Sequence, residues 1–216
     1  MDRKRVGILI FDDVEVLDYC GPFEVFSSVR LDEARRREEP SPFDVVLVAG
    51  TMDTVTTSGG MKVLPMVSFP DCPPLDILVV PGGRGARREM KNEVVLGFVR
   101  RQAGQGGIVA SVCTGALVLG KAGLLEGRRA TTHWRSLDLM QELFPGVRVE
   151  KAFQVVDEGK ILTSAGIAAG IDLALRIVAR CFGEATARAT ARQMEYPYPE
   201  NEARRIQIDV QDRRQS

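Results

Sequence analysis

The chain has few of the residues that most readily advertise chemistry. Its 216 residues contain one His, one Trp and three Tyr. A single imidazole cannot build a histidine-based metal centre. The four cysteines, Cys20, Cys72, Cys113 and Cys181, form no C-x-x-C pair. Neither a zinc site nor a disulfide framework is therefore indicated, and we expect no metal and no cofactor. Net charge is also missing, because 29 basic residues balance 29 acidic ones. No global field would gather nucleic acid or an anionic membrane surface, so neither is expected as a partner. The basic clusters at Arg35 to Arg37 and Arg204-Arg205 are interleaved with Glu and read as solvated surface. Long apolar runs are absent too: the stretch Val6 to Phe11 stops at Asp12-Asp13, too short for a signal-peptide core or a membrane span. Free thiols and a cytoplasmic location are the expectation.

What the chain does have is centred on Ile108 to Gly120. Ile-Val-Ala-Ser-Val is followed by Cys113, then Thr-Gly-Ala and an apolar stretch of helical spacing. The pattern predicts strand, abrupt turn and helix, with Cys113 on the turn. A thiol there sits at the carboxyl end of a strand and at the amino end of a helix. The helix dipole and free N–H groups favour a thiolate. A free Cys is more commonly a small buried hydrophobe, but such a residue has no reason to occupy an elbow. Cys113 is the candidate nucleophile.

Buried-strand patterns recur at Val6 to Phe11, Phe43 to Ala49 and Asp76 to Val80, alternating with helical ones. Thr54 to Met66 predicts a small hairpin or a pair of excursion strands. Helices are expected after Gly21-Pro22, around Val94 to Ala103, over Leu137 to Leu143, from Ile167 to Phe182 and from Glu184 to Gln193. A short strand from Ala130 should end at His133-Trp134, and two more strands should meet at a turn over Asp157 to Lys160. The sum is an α/β protein, a flavodoxin-like and mostly parallel sheet sandwiched by helices. One domain over residues 1–200 and a charged tail over 201–216 are expected.

In an open parallel sheet the carboxyl ends of the strands share one crevice. Three of them carry unusual content: Asp18 after the first strand, Pro81-Gly82-Gly83 after another, and Cys113-Thr114. Asp18 could cap the following helix; as a functional group it would exchange a proton with the thiol or substrate. A neighbouring thiolate should raise its pKa. Gly82, Gly83 and Thr114 could offer backbone N–H groups to a developing anion, although Gly82-Gly83 suits an ordinary strand-to-helix turn equally well. His133, beside Trp134, reads as a hydrogen-bonded structural residue and a possible supporting group rather than the base of a Cys-His pair.

These residues resemble the ThiJ/PfpI superfamily, which shares the class I glutamine amidotransferase-like fold. The resemblance covers Val6 to about Pro199. It rests on Phe11-Asp-Asp-Val-Glu-Val-Leu-Asp18-Tyr-Cys-Gly21-Pro22, Phe69-Pro-Asp-Cys-Pro-Pro-Leu-Asp76, Pro81-Gly82-Gly83 and Ser111-Val-Cys113-Thr-Gly-Ala. The stretches Gly123 to Trp134 and Ser164 to Leu175 complete it. Within the superfamily the set is most similar to isocyanide (isonitrile) hydratases and to the sensor domains of AraC-type regulators. The hydratase resemblance implies Cys113 as nucleophile, Asp18 as acid/base and Ile167 lining the pocket. The substrate would be a small electrophile and the protein a homodimer. Thr114 stands where the peptidase branch has His, which argues against proteolysis. Two alternatives are a redox or ligand sensor built on Cys113 and glyoxalase-like action on reactive carbonyls.

Overall fold

Val6, Ile8, Leu9 and Ile10 are all buried, as a continuous apolar run becomes when both faces of its strand are covered. The computed structural model describes residues 2–206. The elements run β1 (Lys4–Leu9), α1 (Val16–Ser28), β2 (Phe43–Ala49), β3 (Val55–Thr56), β4 (Lys62–Val63), β5 (Val67–Ser68) and β6 (Ile77–Val80). They continue with α2 (Ala86–Glu89), α3 (Glu93–Gly104), β7 (Ile108–Ser111), α4 (Gly115–Lys121), β8 (Arg129–Ala130) and α5 (Leu137–Leu143). The last are β9 (Arg148–Val149), β10 (Val155–Glu158), β11 (Ile161–Ser164), α6 (Ala169–Phe182) and α7 (Glu184–Gln193).

Seven strands form one sheet in the order β10-β11-β7-β6-β1-β2-β5. Every pairing in it is parallel except the β10–β11 hairpin. Helices α1, α6 and α7 pack on one another, and α4 packs against α2 and α3. This is the flavodoxin-like sandwich that the alternating pattern predicts. The small β3–β4 hairpin is also found, as a two-stranded antiparallel sheet. No helix among the described residues is long and apolar enough to cross a membrane.

Three boundaries differ from the sequence reading, and each difference shapes the site. Helix α1 starts at Val16, so Gly21-Pro22 lies inside it rather than at its entry, and Asp18 is in its first turn instead of a loop. Pro22 gives up the backbone bond to the Asp18 carbonyl, but its ring lies against Gly170 of α6, while Gly21 faces Ile171. Close packing of α1 on α6 explains the pair. The strand expected from Ala130 to Trp134 ends at Ala130. Thr131 N–H donates to the Thr163 hydroxyl at 2.9 Å rather than to a strand carbonyl, the Thr132 hydroxyl donates to Cys113 O, and His133 caps a 3₁₀ turn over Trp134–Ser136. Helix α6 begins at Ala169, not Ile167, because Ile167 has a φ of 52°, which a right-handed helix cannot contain.

The tail doubles back after Tyr196. Gln154 N–H donates to Glu202 O at 2.7 Å and Arg204 N–H to Ala152 O at 2.7 Å, so residues 202–204 pair with 152–154. The rest of the charged tail, residues 207–216, lies outside the described residues.

Candidate active site

The strands that deliver the site end level with one another. Val80 of β6 is paired with Ser111 of β7, and Val112 N–H then donates to Val80 O at 3.0 Å. The next residue is Cys113, with a φ of 55°. A non-glycine residue in the left-handed region persists only when its surroundings hold it. Here Cys113 N–H donates to Ala165 O at 3.0 Å, and the Thr132 hydroxyl donates to Cys113 O at 2.7 Å. Gly115 opens α4 so close to the end of β6 that an added Cβ would overlap Val80 O. The elbow is thus gripped from both neighbouring strands.

Asp18 reaches the elbow from the opposite side through the glycine turn. Glu15 N–H donates to Gly82 O at 3.0 Å, and Val14 bridges Gly83, which pins the start of α1 to that turn. Gly82 N–H then donates to Asp18 Oδ2 at 2.8 Å. A Cβ on Gly82 would lie 2.5 Å from Thr114 N and 3.0 Å from Asp18 Oδ2, so only glycine lets the acid, the turn and the elbow meet. Gly83 N–H donates to Thr114 Oγ1 at 3.0 Å, and that hydroxyl returns a bond to Gly83 O at 3.2 Å. Both glycine N–H groups are therefore engaged within the protein. They position Asp18 and Thr114 rather than standing free as anion donors.

Asp18 has no exposed surface and Cys113 only 6%. Asp18 Oδ1 is buried and accepts no bond from any N–H or O–H, and the Cys113 thiol is the side-chain partner of the carboxyl. Burial is the main reason the Asp18 pKa rises to about 8, and Glu15 adds to it, against the lowering effect of the Gly82 N–H and of Cys113. The expected rise is present, but desolvation rather than repulsion by a thiolate is its chief cause. Because Oδ2 already accepts a bond, the proton of the neutral acid belongs on Oδ1. Cys113 also moves upward, to about 12, through burial first and then the Asp18 charge. The expectation of a thiol simply acidified by a helix end is thereby corrected: at seven residues α4 is short, and burial outweighs it. Backbone N–H groups of Thr114 and Ile167 and the Thr114 side chain act in the other direction, favouring the anion. With Asp18 protonated, its charge no longer opposes the thiolate. Asp18 and Cys113 thus each enter the other's titration.

The Ile167 side chain is 38% exposed, while its backbone N–H addresses the sulfur. That second role was invisible in the sequence, and Thr132 was not singled out there. His133 bonds elsewhere: its Nδ1 accepts from Arg135 N–H at 3.3 Å, and its ring lies against Gly166. Among the described residues no group of three or more His, Cys, Asp or Glu could hold a metal ion.

Thr132→Val keeps the shape of a fully buried side chain but leaves the Cys113 carbonyl without its hydroxyl donor. Stability should fall by about 1–3 kcal/mol, and Cys113 should alkylate more slowly with iodoacetamide. Thermal unfolding and timed alkylation check the two effects; wild-type values in both would remove Thr132 from the elbow's support.

The chain as a whole has known relatives. An isonitrile hydratase of Pseudomonas putida is 42% identical over 192 residues, covering 89% of this chain and 78% of that protein. The HTH-type transcriptional regulator GbdR of Pseudomonas aeruginosa is 34% identical over 92% of this chain, which spans only 52% of the regulator. The crystal structure of a ThiJ/PfpI family protein from Pseudomonas syringae superposes with a TM-score of 0.80 at 30% identity, covering 93% of this chain and 78% of that one. The DJ-1/PfpI family model matches residues 4–180, and this chain belongs to the DJ-1/PfpI family.

Proposed function

We propose that the protein is a cysteine-dependent hydratase that converts an isocyanide into an N-substituted formamide. The observation that carries this reading is the pairing of a gripped, buried thiol with a buried carboxyl whose Oδ1 has no other partner. The 42% identity to an isonitrile hydratase supports it.

The terminal carbon of an isocyanide accepts a nucleophile and then a proton at the same atom. Cys113 Sγ forms the C–S bond, and Asp18 Oδ1 delivers its proton to that carbon, giving a thioimidate and leaving Asp18 ionised. Water adds across the C=N bond: hydroxide goes to carbon, and its proton passes through Asp18 to nitrogen. Collapse breaks the C–S bond, and the hydroxyl proton goes to Asp18. The products are the formamide, the Cys113 thiolate and the neutral acid. Thr114 and Ile167 N–H groups hold the sulfur's charge whenever it is free. No redox partner is needed.

Purified protein mixed with phenyl isocyanide should form N-phenylformamide catalytically, many turnovers per chain, as followed by chromatography. Absence of formamide, or turnover of methylglyoxal instead, would sink the hydratase reading. A second reading, a sensor, is favoured by the match to GbdR over 92% of this chain. Its signature would be stoichiometric oxidation of Cys113 by peroxide without turnover of any electrophile.

A further inference from the structure

His133 lies one residue from the contacts of the thiol. Its ring covers Gly166, which sits between Ala165, the acceptor of Cys113 N–H, and Ile167, the donor to Sγ. The charged groups acting on this ring are all arginines: Arg135, Arg204 and Arg87, which add to burial in lowering its pKa. The ring is thus neutral, and because Nδ1 accepts from Arg135 N–H, its proton is on Nε2.

Arg204 is the least expected of the three. It is half-buried, and loss of solvent lowers its pKa. Its guanidinium donates to Lys151 O at 2.8 Å, Thr131 Oγ1 at 2.9 Å and Thr132 O at 3.1 Å. All three are neutral acceptors on or beside the wall that carries His133, and Nη1 has no bond among the described residues. The next residue is treated differently: Arg205 Nη2 meets the buried carboxylate of Asp172 at 2.6 Å. Arg135 lies over the Trp134 ring at 4.8 Å and makes no ion pair among the described residues. A desolvated cation without a counter-charge is costly unless something supplies one. Arg204 is such a cation, and with the exposed guanidinium of Arg135 and the imidazole N–H donor acting on the same ring it is complementary to an oxyanion.

We propose that the electrophile handled at Cys113 carries a carboxylate, or an oxyanion of equal charge, that docks against Arg204, Arg135 and the Nε2–H of His133. This rests on the reading of Cys113 as the reacting group and narrows its substrate to an anionic class. The neutral end reaches the sulfur and the charged end stays at the arginines.

A pair of alkylating reagents with one warhead tests this without requiring turnover. Cys113 should react about tenfold faster with 4-(2-iodoacetamido)benzoate than with N-phenyl iodoacetamide at low ionic strength. Peptide mass spectrometry reports Cys113 separately from Cys20, Cys72 and Cys181. Arg204→Gln and Arg135→Gln should each lower the ratio of the two rates by roughly threefold or more. The ratio cancels any general loosening of the tail, and Arg135 is exposed, so its replacement leaves the fold intact. Equal rates in the wild-type protein, or an undiminished ratio in both variants, overturn the inference. A carboxylate preference without turnover of 4-isocyanobenzoate would keep the anion site and sink the hydratase reading. Equal kcat/KM for phenyl isocyanide and 4-isocyanobenzoate, with equal alkylation rates, would do the reverse.

Discussion

Asp18→Asn is expected to lower isocyanide turnover by about 10²–10⁴ while leaving a folded protein that outlasts the wild type at alkaline pH. The amide oxygen can keep the bond from Gly82 N–H, and the amide nitrogen takes the place of Oδ1, so the geometry survives. What is lost is a transferable proton. The effect on stability has the opposite sign and follows from linkage. An unfolded Asp titrates near 3.8, whereas Asp18 in the native protein titrates at about 8. The folded chain therefore binds one proton more than the unfolded chain between these values, and the wild type loses stability as pH rises through about 8. Asn at this position has no proton to lose. The variant should be the more stable protein at pH 9, by several kcal/mol, measured by urea unfolding across pH. Unchanged turnover would remove Asp18 from the chemistry. A variant less stable than wild type at high pH would show that the carboxylate is stabilising after all.

The layering of the fold was legible because its signals are local. The apolar runs over Ile8 to Ile10, Ile77 to Val80 and Val109 to Ser111, each closed by a turn, specify strands covered on both faces. The elbow could be placed at Cys113 for the same reason. What escaped is set by contacts remote in sequence. Pro22 after Gly21 reads as a helix entry, yet it lies inside α1, because Gly170 of α6 accommodates its ring. The shape of Ile167 is likewise imposed: with a φ of 52° it delays α6 and turns an N–H toward Sγ, whereas its β-branched side chain favours neither. The glycine turn suggested free N–H donors, but the neighbours that consume them, Asp18 and Thr114, lie 64 and 31 positions away. The Thr131-Thr132 pair before the sole His was a visible signal that could have been used. Threonine hydroxyls readily bond backbone groups at turns, and here one of them holds the Cys113 carbonyl.

Cys113→Ala should abolish turnover, with a loss of about 10⁴ or more, because no other group in the site can form the bond to carbon. The same substitution separates catalysis from sensing. If Cys113 only reports oxidation, the alanine variant loses its peroxide-dependent mass shift and no rate changes, there being none to lose. If it turns over an isocyanide, formamide production vanishes and Asp18 is left alone in the pocket. The Cys113 hydrogen bond is one of the influences that lower the Asp18 pKa. Without the sulfur the carboxyl should titrate still higher than about 8, while Thr114 and Ile167 lose the acceptor that their N–H groups share. A carbon-13 signal from Asp18, followed through the titration in both proteins, reads this directly. An Asp18 that titrates identically with and without Sγ would mean that the two groups do not share a proton, and the proton-transfer step assigned to them would fail even if Cys113 proved essential.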